Sequence, residues 1–214
     1  MIGVFGGTFD PIHYGHLRPV HEVCKALEFC ELRFITAAVP PHRLAPIASA
    51  AQRLDMVRCA LEDYPEFVVD DRELRRSESD DRPSYTVDTL GSLKADCQSK
   101  TLCLLVGTDA FLSLDTWHRW QEILELAHLV VMQRPGWTEH VDQDGLPVWA
   151  KDNLCESPSA LAQRKAGLVW LQSVTPVDIS ASHIRSALAQ GKSVDKLLPV
   201  TVRNYIERNH LYQA

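Results

Sequence analysis

The sequence predicts an α/β protein, a Rossmann-like parallel sheet wound on both faces, with a small helical part at the carboxyl end. Short apolar runs alternate with segments whose apolar residues recur at helical spacing, and parallel neighbours need such crossover helices. The first of these runs ends in a Gly-Gly turn and leads straight into a helical pattern. With 214 residues and 45% hydrophobic content, the chain can bury one substantial core, so a single domain over 1–214 is expected, its helical part from about residue 180.

Ile2 to Phe5 is the first strand, and Leu17, Val20, Cys24 and Leu27 mark the helix after it. Leu32 to Val39 is the second strand. Leu54, Val57 and Leu61 set a helix around Ala51 to Glu62, and Phe67 to Val69 is a third strand. A helix near Thr86 to Cys97 precedes a strand at Leu102 to Val106, and a helix near Gln121 to Leu126 precedes the strand His128 to Gln133. Gly167 to Gln172 is the last strand before a closing pair of helices. Two segments break this rhythm, Asp70 to Pro83 with charge of both signs and Pro135 to Pro158 with a weak pattern, and both are expected as surface loops.

Composition narrows the function. The amino terminus lacks a basic stretch followed by a long apolar run, and no transmembrane-length apolar segment occurs, so a cytoplasmic protein without membrane attachment is expected. Six cysteines without a C-x-x-C pair read as free thiols in a reducing compartment, with no structural zinc. A net charge of −6 offers no broad basic field, so nucleic acid is not expected as a partner. Phosphate binding must then come from a few local donors acting on a small ligand.

Gly6-Gly7-Thr8-Phe9-Asp10-Pro11-Ile12-His13-Tyr14-Gly15-His16-Leu17 supplies such donors at the turn from the first strand into the first helix. Ligands of open parallel sheets collect beyond strand carboxyl ends, and a helix amino terminus offers unpaired N–H groups to a phosphate. Gly6 and Gly7 let the backbone come close to a ligand. His13 and His16 can face one phosphate chain and donate to it without a permanent charge. Metal binding by His-x-x-His, with Asp10 as a candidate further ligand, competes, but no third nitrogen or sulfur ligand stands at a regular spacing. A satisfied structural histidine is the usual fate of an isolated ring, and these two are not isolated. The dinucleotide fingerprint G-x-G-x-x-G is absent here. Phosphate binding is the favoured reading.

Near the other end, Asp178-Ile179-Ser180-Ala181-Ser182-His183-Ile184-Arg185 precedes a helical pattern. Ser180 or Ser182 can cap that helix, and Arg185 can fork onto phosphate oxygens. Taken alone, the segment reads better as an ordinary capped helix with a surface arginine. In the middle, His42 and Arg43 after the second strand are candidates for an acceptor phosphate, Thr86 for hydrogen bonding at a helix start, and Asp109 after Gly107 for a ribose hydroxyl. Trp117 can stack on a flat ring, or share a core-facing helical face with Trp120.

The first segment resembles the (H/T)-x-G-H signature of the nucleotidylyltransferase superfamily, and the second resembles its I-S-x-S-x-I-R element. Val39-Pro40-Pro41-His42-Arg43, Ser84-Tyr85-Thr86, Gly107-Thr108-Asp109, Trp117 and Arg134-Pro135-Gly136 extend the resemblance to bacterial nicotinate mononucleotide adenylyltransferases over nearly the whole chain. The resemblance implies transfer of AMP from ATP to nicotinate mononucleotide, in NAD biosynthesis. It implies His16 and His13 as catalytic residues, the first stabilising the α-phosphate and the second holding the phosphate chain. It places ATP on Gly6, Gly7, Thr8, Phe9, Gly107, Asp109, Arg134, Ile179, Ser180, Ser182 and Arg185. The mononucleotide falls to His42, Arg43, Tyr85, Thr86 and Trp117, and Mg²⁺ rides mainly on ATP oxygens, with few protein ligands. Thr36-Ala37-Ala38 departs from the asparagine-containing stretch usual in that family. A phosphopantetheine-directed relative would share the terminal motifs without Ser84-Tyr85-Thr86 and Trp117. A nonenzymatic ATP-binding module would have no need of His13, His16 and Arg185 together, and the acidic composition speaks against an RNA-directed synthetase fragment.

Overall fold

The structure, a computed structural model, describes residues 1–40, 45–78, 82–133 and 146–213. Six strands, β1 (Ile2–Gly7), β2 (Glu31–Thr36), β3 (Phe67–Asp70), β4 (Leu102–Gly107), β5 (His128–Gln133) and β6 (Val169–Ser173), form one sheet in the order β3-β2-β1-β4-β5-β6. β1 runs parallel to β4 with Ile2 opposite Leu102, β4 to β5 with Cys103 opposite His128, and β5 to β6 with Leu129 opposite Val169. Leu102 to Val106 are all buried, as expected of a parallel strand covered on both faces. After β3 the chain returns to lay β4 on the far side of β1. At such a reversal of strand order, the loop leaving β1 is where a ligand is expected.

The helices are α1 (Tyr14–Ala26), α2 (Ala50–Leu61), α3 (Arg72–Ser77), α4 (Thr86–Asp96), α5 (Thr108–Leu112), α6 (Trp120–Leu126), α7 (Val148–Lys151), α8 (Ser159–Gln163), α9 (Ala181–Ala189) and α10 (Val200–Arg208). α1 starts earlier than its apolar spacing announces, because the first turn is polar and glycine-bearing, and so takes in Gly15 and His16. α2 opens on a capping box in which Ser49 accepts from the Gln52 N–H while the Gln52 side chain accepts from the Ser49 N–H. Such a cap contributes about 1 kcal/mol.

Two expectations about loops are corrected. Within 70–83, residues Arg72–Ser77 are helical, and Asp70 and Glu73 are buried. Mixed charge suggested solvation, but here the charges pair: Asp70 bonds Arg33 and Arg72, each at 2.9 Å. Burial alone would raise the Asp70 pKa, yet the hydrogen bonds and charge of Arg72, with help from Arg33, hold it below the usual value. Within 135–158, Val148–Lys151 form a short helix with Ala150 buried, and 134–145 lie outside the described residues. β2 also stops at Thr36, short of the expected Val39.

Contacts gather the chain into two compact units. One comprises Met1–Phe5, Pro19–Leu32 and Tyr85–Pro176, and it buries the interiors of β4 and β5 together with Phe111, Ile123 and Leu161. The other comprises Gly6–Arg18, Arg33–Ser84 and Val177–Ala214, and it buries Phe9, Ile12, Leu17, Phe34, Met56, Ile184, Val202 and Ile206. Among the described residues no helix is long and apolar enough to cross a membrane.

Candidate active site

The loop leaving β1 is held from below by buried polar groups. Asp10, 7% exposed, accepts from the Ile47 N–H at 2.9 Å, the Ala48 N–H at 3.1 Å and the Tyr212 hydroxyl at 2.6 Å. Arg53, 1% exposed, donates to the carbonyls of Thr8 and Ala37 at 2.7 Å and of Ala38 and Ala48 at 3.2 Å. A buried guanidinium is tolerable when its fork is filled this way. Burial lowers its pKa, and the charge of Asp10 works in the opposite direction.

Above this base the two glycines differ. A Cβ placed on Gly6 would meet nothing within 4 Å, whereas one on Gly7 would come within 2.7 Å of the Phe9 ring. Gly7 is therefore needed to seat Phe9, and Gly6 is open to close approach. Phe9 adopts φ +52°, an uncommon conformation for a bulky residue. Its buried ring meets the His16 ring edge-on, with centroids 5.2 Å apart.

The histidines stand at the helix start. The His13 carbonyl accepts from the N–H groups of His16 at 2.8 Å and Leu17 at 3.2 Å. In return, Nδ1 of His16 accepts from the His13 N–H at 3.3 Å. That bond assigns the His16 proton to Nε2. The two rings stack with centroids 3.8 Å apart. Burial holds His13 down at a pKa of about 4, so at neutral pH it puts no like charge against the His16 ring. Nδ1 of His13 is buried without a hydrogen-bond partner. The contrast is His128 in β5, with Nδ1 accepting from the Leu168 N–H at 3.0 Å and Nε2 lying 2.9 Å from the Arg164 carbonyl. That ring is the satisfied core histidine; His13 is not.

The carboxyl-terminal segment belongs to the same compact unit. Ser180 caps α9, its hydroxyl accepting from the His183 N–H at 3.3 Å, and the hydroxyls of Ser180 and Ser182 lie 3.1 Å apart. Nη1 of Arg185 donates to the Asp10 carbonyl at 2.7 Å. A Cβ on Gly15 would lie 2.8 Å from the Ile179 carbonyl oxygen and 2.8 Å from Nδ1 of His13. The two motifs therefore touch, and only glycine at 15 allows it.

The remaining expected site residues belong to the other unit or lie outside the described residues. Thr86 is the first residue of α4 and Tyr85 its cap, with the Tyr85 ring 4.2 Å from that of His118. Trp117, half-buried, follows the turn Leu114–Thr116 in extended conformation. Trp120 opens α6 and packs on Trp149 at 5.2 Å, so the two indoles do not share a helical face. Gly107 ends β4, and Asp109 is exposed in the first turn of α5. His42, Arg43 and Arg134 lie outside the described residues. Sequence reasoning placed Gly15 only within the histidine motif and gave no role at the candidate site to Arg53 or Tyr212. A charged residue inside the apolar pattern of α2 was a signal for Arg53; nothing local marked Tyr212.

The cytidylyltransferase-like family matches residues 4–187. The chain is 46% identical over 213 residues to an Aeromonas salmonicida protein named probable nicotinate-nucleotide adenylyltransferase, covering 100% of this chain and 97% of that protein. A Halorhodospira halophila protein of the same name is 48% identical over 205 residues, covering 96% and 92%. Among solved structures, Plasmodium falciparum nicotinic acid mononucleotide adenylyltransferase complexed with NaAD superposes with a TM-score of 0.71 at 17% identity, covering 99% of this chain and 96% of that one. At that identity the likeness speaks for the fold.

Proposed function

The chain belongs to the cytidylyltransferase-like family and groups with the nicotinate-nucleotide adenylyltransferases, and from that premise we propose that it transfers AMP from ATP to nicotinate mononucleotide, yielding deamido-NAD and pyrophosphate. The observation that carries this reading is the contact of the histidine loop with the start of α9, through Gly15 against Ile179 and Arg185 on the Asp10 carbonyl. One compact unit thus holds two imidazoles, a helix amino terminus and a guanidinium, a donor set suited to a polyphosphate.

A phosphate oxygen of the mononucleotide attacks the α-phosphorus of ATP in line. A P–O bond forms as the bond from the α-phosphorus to the bridging oxygen breaks, and pyrophosphate leaves with that electron pair. Rate comes from alignment and from donors aimed at developing charge, without a covalent enzyme intermediate. His16 offers Nε2–H to the α-phosphate, and neutral His13 steadies the phosphate chain. Ser182, the N–H groups opening α9 and Arg185 receive the pyrophosphate. Arg185 keeps one donor on Asp10, and the guanidinium carries five. Gly6, Gly7, Thr8 and Phe9 supply backbone beside the ATP, and Gly107, Asp109 and Arg134 are proposed for its nucleoside. Tyr85, Thr86 and Trp117 are assigned to the pyridine, with His42 and Arg43 for the acceptor phosphate. Mg²⁺ is expected on ATP oxygens, because Asp10, the carboxylate of this loop, already accepts from Tyr212 and two N–H groups. When bound, it neutralises phosphate charge.

The test mixes the protein with ATP, Mg²⁺ and either the acid or the amide mononucleotide. Dinucleotide and pyrophosphate should appear in equal amounts, faster with the acid. His16→Ala should lower kcat by about a hundredfold, the scale of a lost transition-state donor. Normal turnover in that variant would remove His16 from the mechanism, and no dinucleotide from either acceptor would overturn the assignment.

A further inference from the structure

Beneath the histidine loop lies a tyrosine that the proposed reaction does not use. Tyr212 is 6% exposed and adopts φ +59°, a conformation that a bulky residue keeps only when its surroundings hold it. Its hydroxyl donates to Oδ1 of Asp10 at 2.6 Å, the same oxygen that takes the Ala48 N–H at 3.1 Å, while Oδ2 takes the Ile47 N–H at 2.9 Å. The backbone carbonyl of this same Asp10 receives Arg185. Asp10 is therefore the point where the loop, residues 47–48, Arg185 and Tyr212 meet, and His13 follows shortly after it in the chain.

We propose that Tyr212 is a positioning residue for the phosphate site: by anchoring the Asp10 carboxylate, its hydroxyl fixes the loop that carries His13 and His16 and keeps Arg185 available to phosphate. Oδ2 of Asp10 lies 4.0 Å from Nη1 of Arg185. A carboxylate that loses its tyrosine donor is still charged and has lost one of its bonds. It turns toward Arg185, whose Nη1 already stands close to Oδ2, and competes with the triphosphate for that guanidinium. Arg53 offers little relief, since four of its five N–H groups are committed to the carbonyls of Thr8, Ala37, Ala38 and Ala48. Burial and the bond to Asp10 both raise the Tyr212 pKa, so the phenol remains a donor over the working pH range.

The kinetic part of the test rests on the adenylyl transfer proposed above; the spectroscopic part does not. Tyr212→Phe is compared with Tyr205→Phe, which removes a hydroxyl from the same carboxyl-terminal segment and a bond of 3.1 Å to Asp55, away from the loop. In Tyr212→Phe, kcat/KM for ATP should fall about tenfold, the scale of one buried charge-assisted hydrogen bond, with KM for the mononucleotide unchanged. The imidazole nitrogen signals of His13 and His16 should shift. Tyr205→Phe should leave both readouts as in the unsubstituted protein, even at equal loss of melting temperature. Unmoved imidazole signals in Tyr212→Phe overturn the proposal, and so do equal effects in the two variants. If the unsubstituted protein makes no dinucleotide, the reaction assignment fails and the imidazole signals alone decide the role of Tyr212. Should Tyr212→Phe not fold, Asp10→Asn carries the same spectroscopic comparison: shifted signals support the proposal and unmoved ones overturn it.

Discussion

Gly15→Ala tests the join between the two motifs with one methyl group. Its carbon would sit 2.8 Å from Nδ1 of His13, 2.8 Å from the Ile179 carbonyl oxygen and 2.9 Å from Cε1 of His13, where ordinary contact begins at 3.4 Å. Both sides must then yield by about half an ångström, and neither yields easily. The carbonyl is backbone at the approach to α9, and the His13 ring is buried against His16. Overpacking of this kind costs roughly 1–3 kcal/mol. Under the proposed mechanism, displacing the imidazole donors by up to an ångström costs about a hundredfold in rate, so kcat should fall between tenfold and a hundredfold while the fold survives. The control is Gly6→Ala, where a methyl meets nothing within 4 Å and stability should change by less than about 0.5 kcal/mol. Urea unfolding and pyrophosphate release, measured on both variants, give the answer. A Gly15→Ala protein with unaltered midpoint and turnover would refute the contact.

Three further outcomes follow from the same geometry. His13 has its pKa lowered from 6.5 to about 4 by burial, so the unfolded chain binds its proton first on acidification. The stabilisation from keeping the ring neutral is complete above pH 6.5 and is lost as pH falls toward 4; between pH 7 and 5 it amounts to about 2 kcal/mol. Urea midpoints of His13→Gln should accordingly depend less on pH over that interval than those of the unsubstituted protein. Arg53→Met strands the carbonyls of Thr8, Ala37, Ala38 and Ala48 and should destabilise by at least about 3 kcal/mol, with Arg53→Lys recovering little because an ammonium cannot span them; thermal unfolding measures both. Trp117→Ala should raise KM for the mononucleotide about tenfold, as loss of a stacking partner does, while KM for ATP stays put in steady-state assays.

Much of the candidate site was written locally. The glycines, the paired histidines and their place between an apolar run and a helical pattern could be read in order, because a strand-to-helix turn and its N–H groups are made by neighbouring residues. The capping serine of α9 was legible for the same reason. The partners of Asp70 and Arg53 were not, since a charged side chain looks solvated until its partners are known. Arg53 bonds carbonyls from three segments, and Asp70 draws on Arg33 as well as Arg72.

The sequence by itself determined the alternation of strands and helices and the donor types at each end of the chain, because periodicity, turn chemistry and charge are properties of adjacent residues. Only the tertiary structure decided that Gly15 rests on Ile179, that Arg185 bonds a loop 175 residues before it, and that Tyr212 anchors a carboxylate 202 residues away. Such partners are chosen by the path of the backbone through the sheet, and no local pattern of residues encodes who will stand opposite whom.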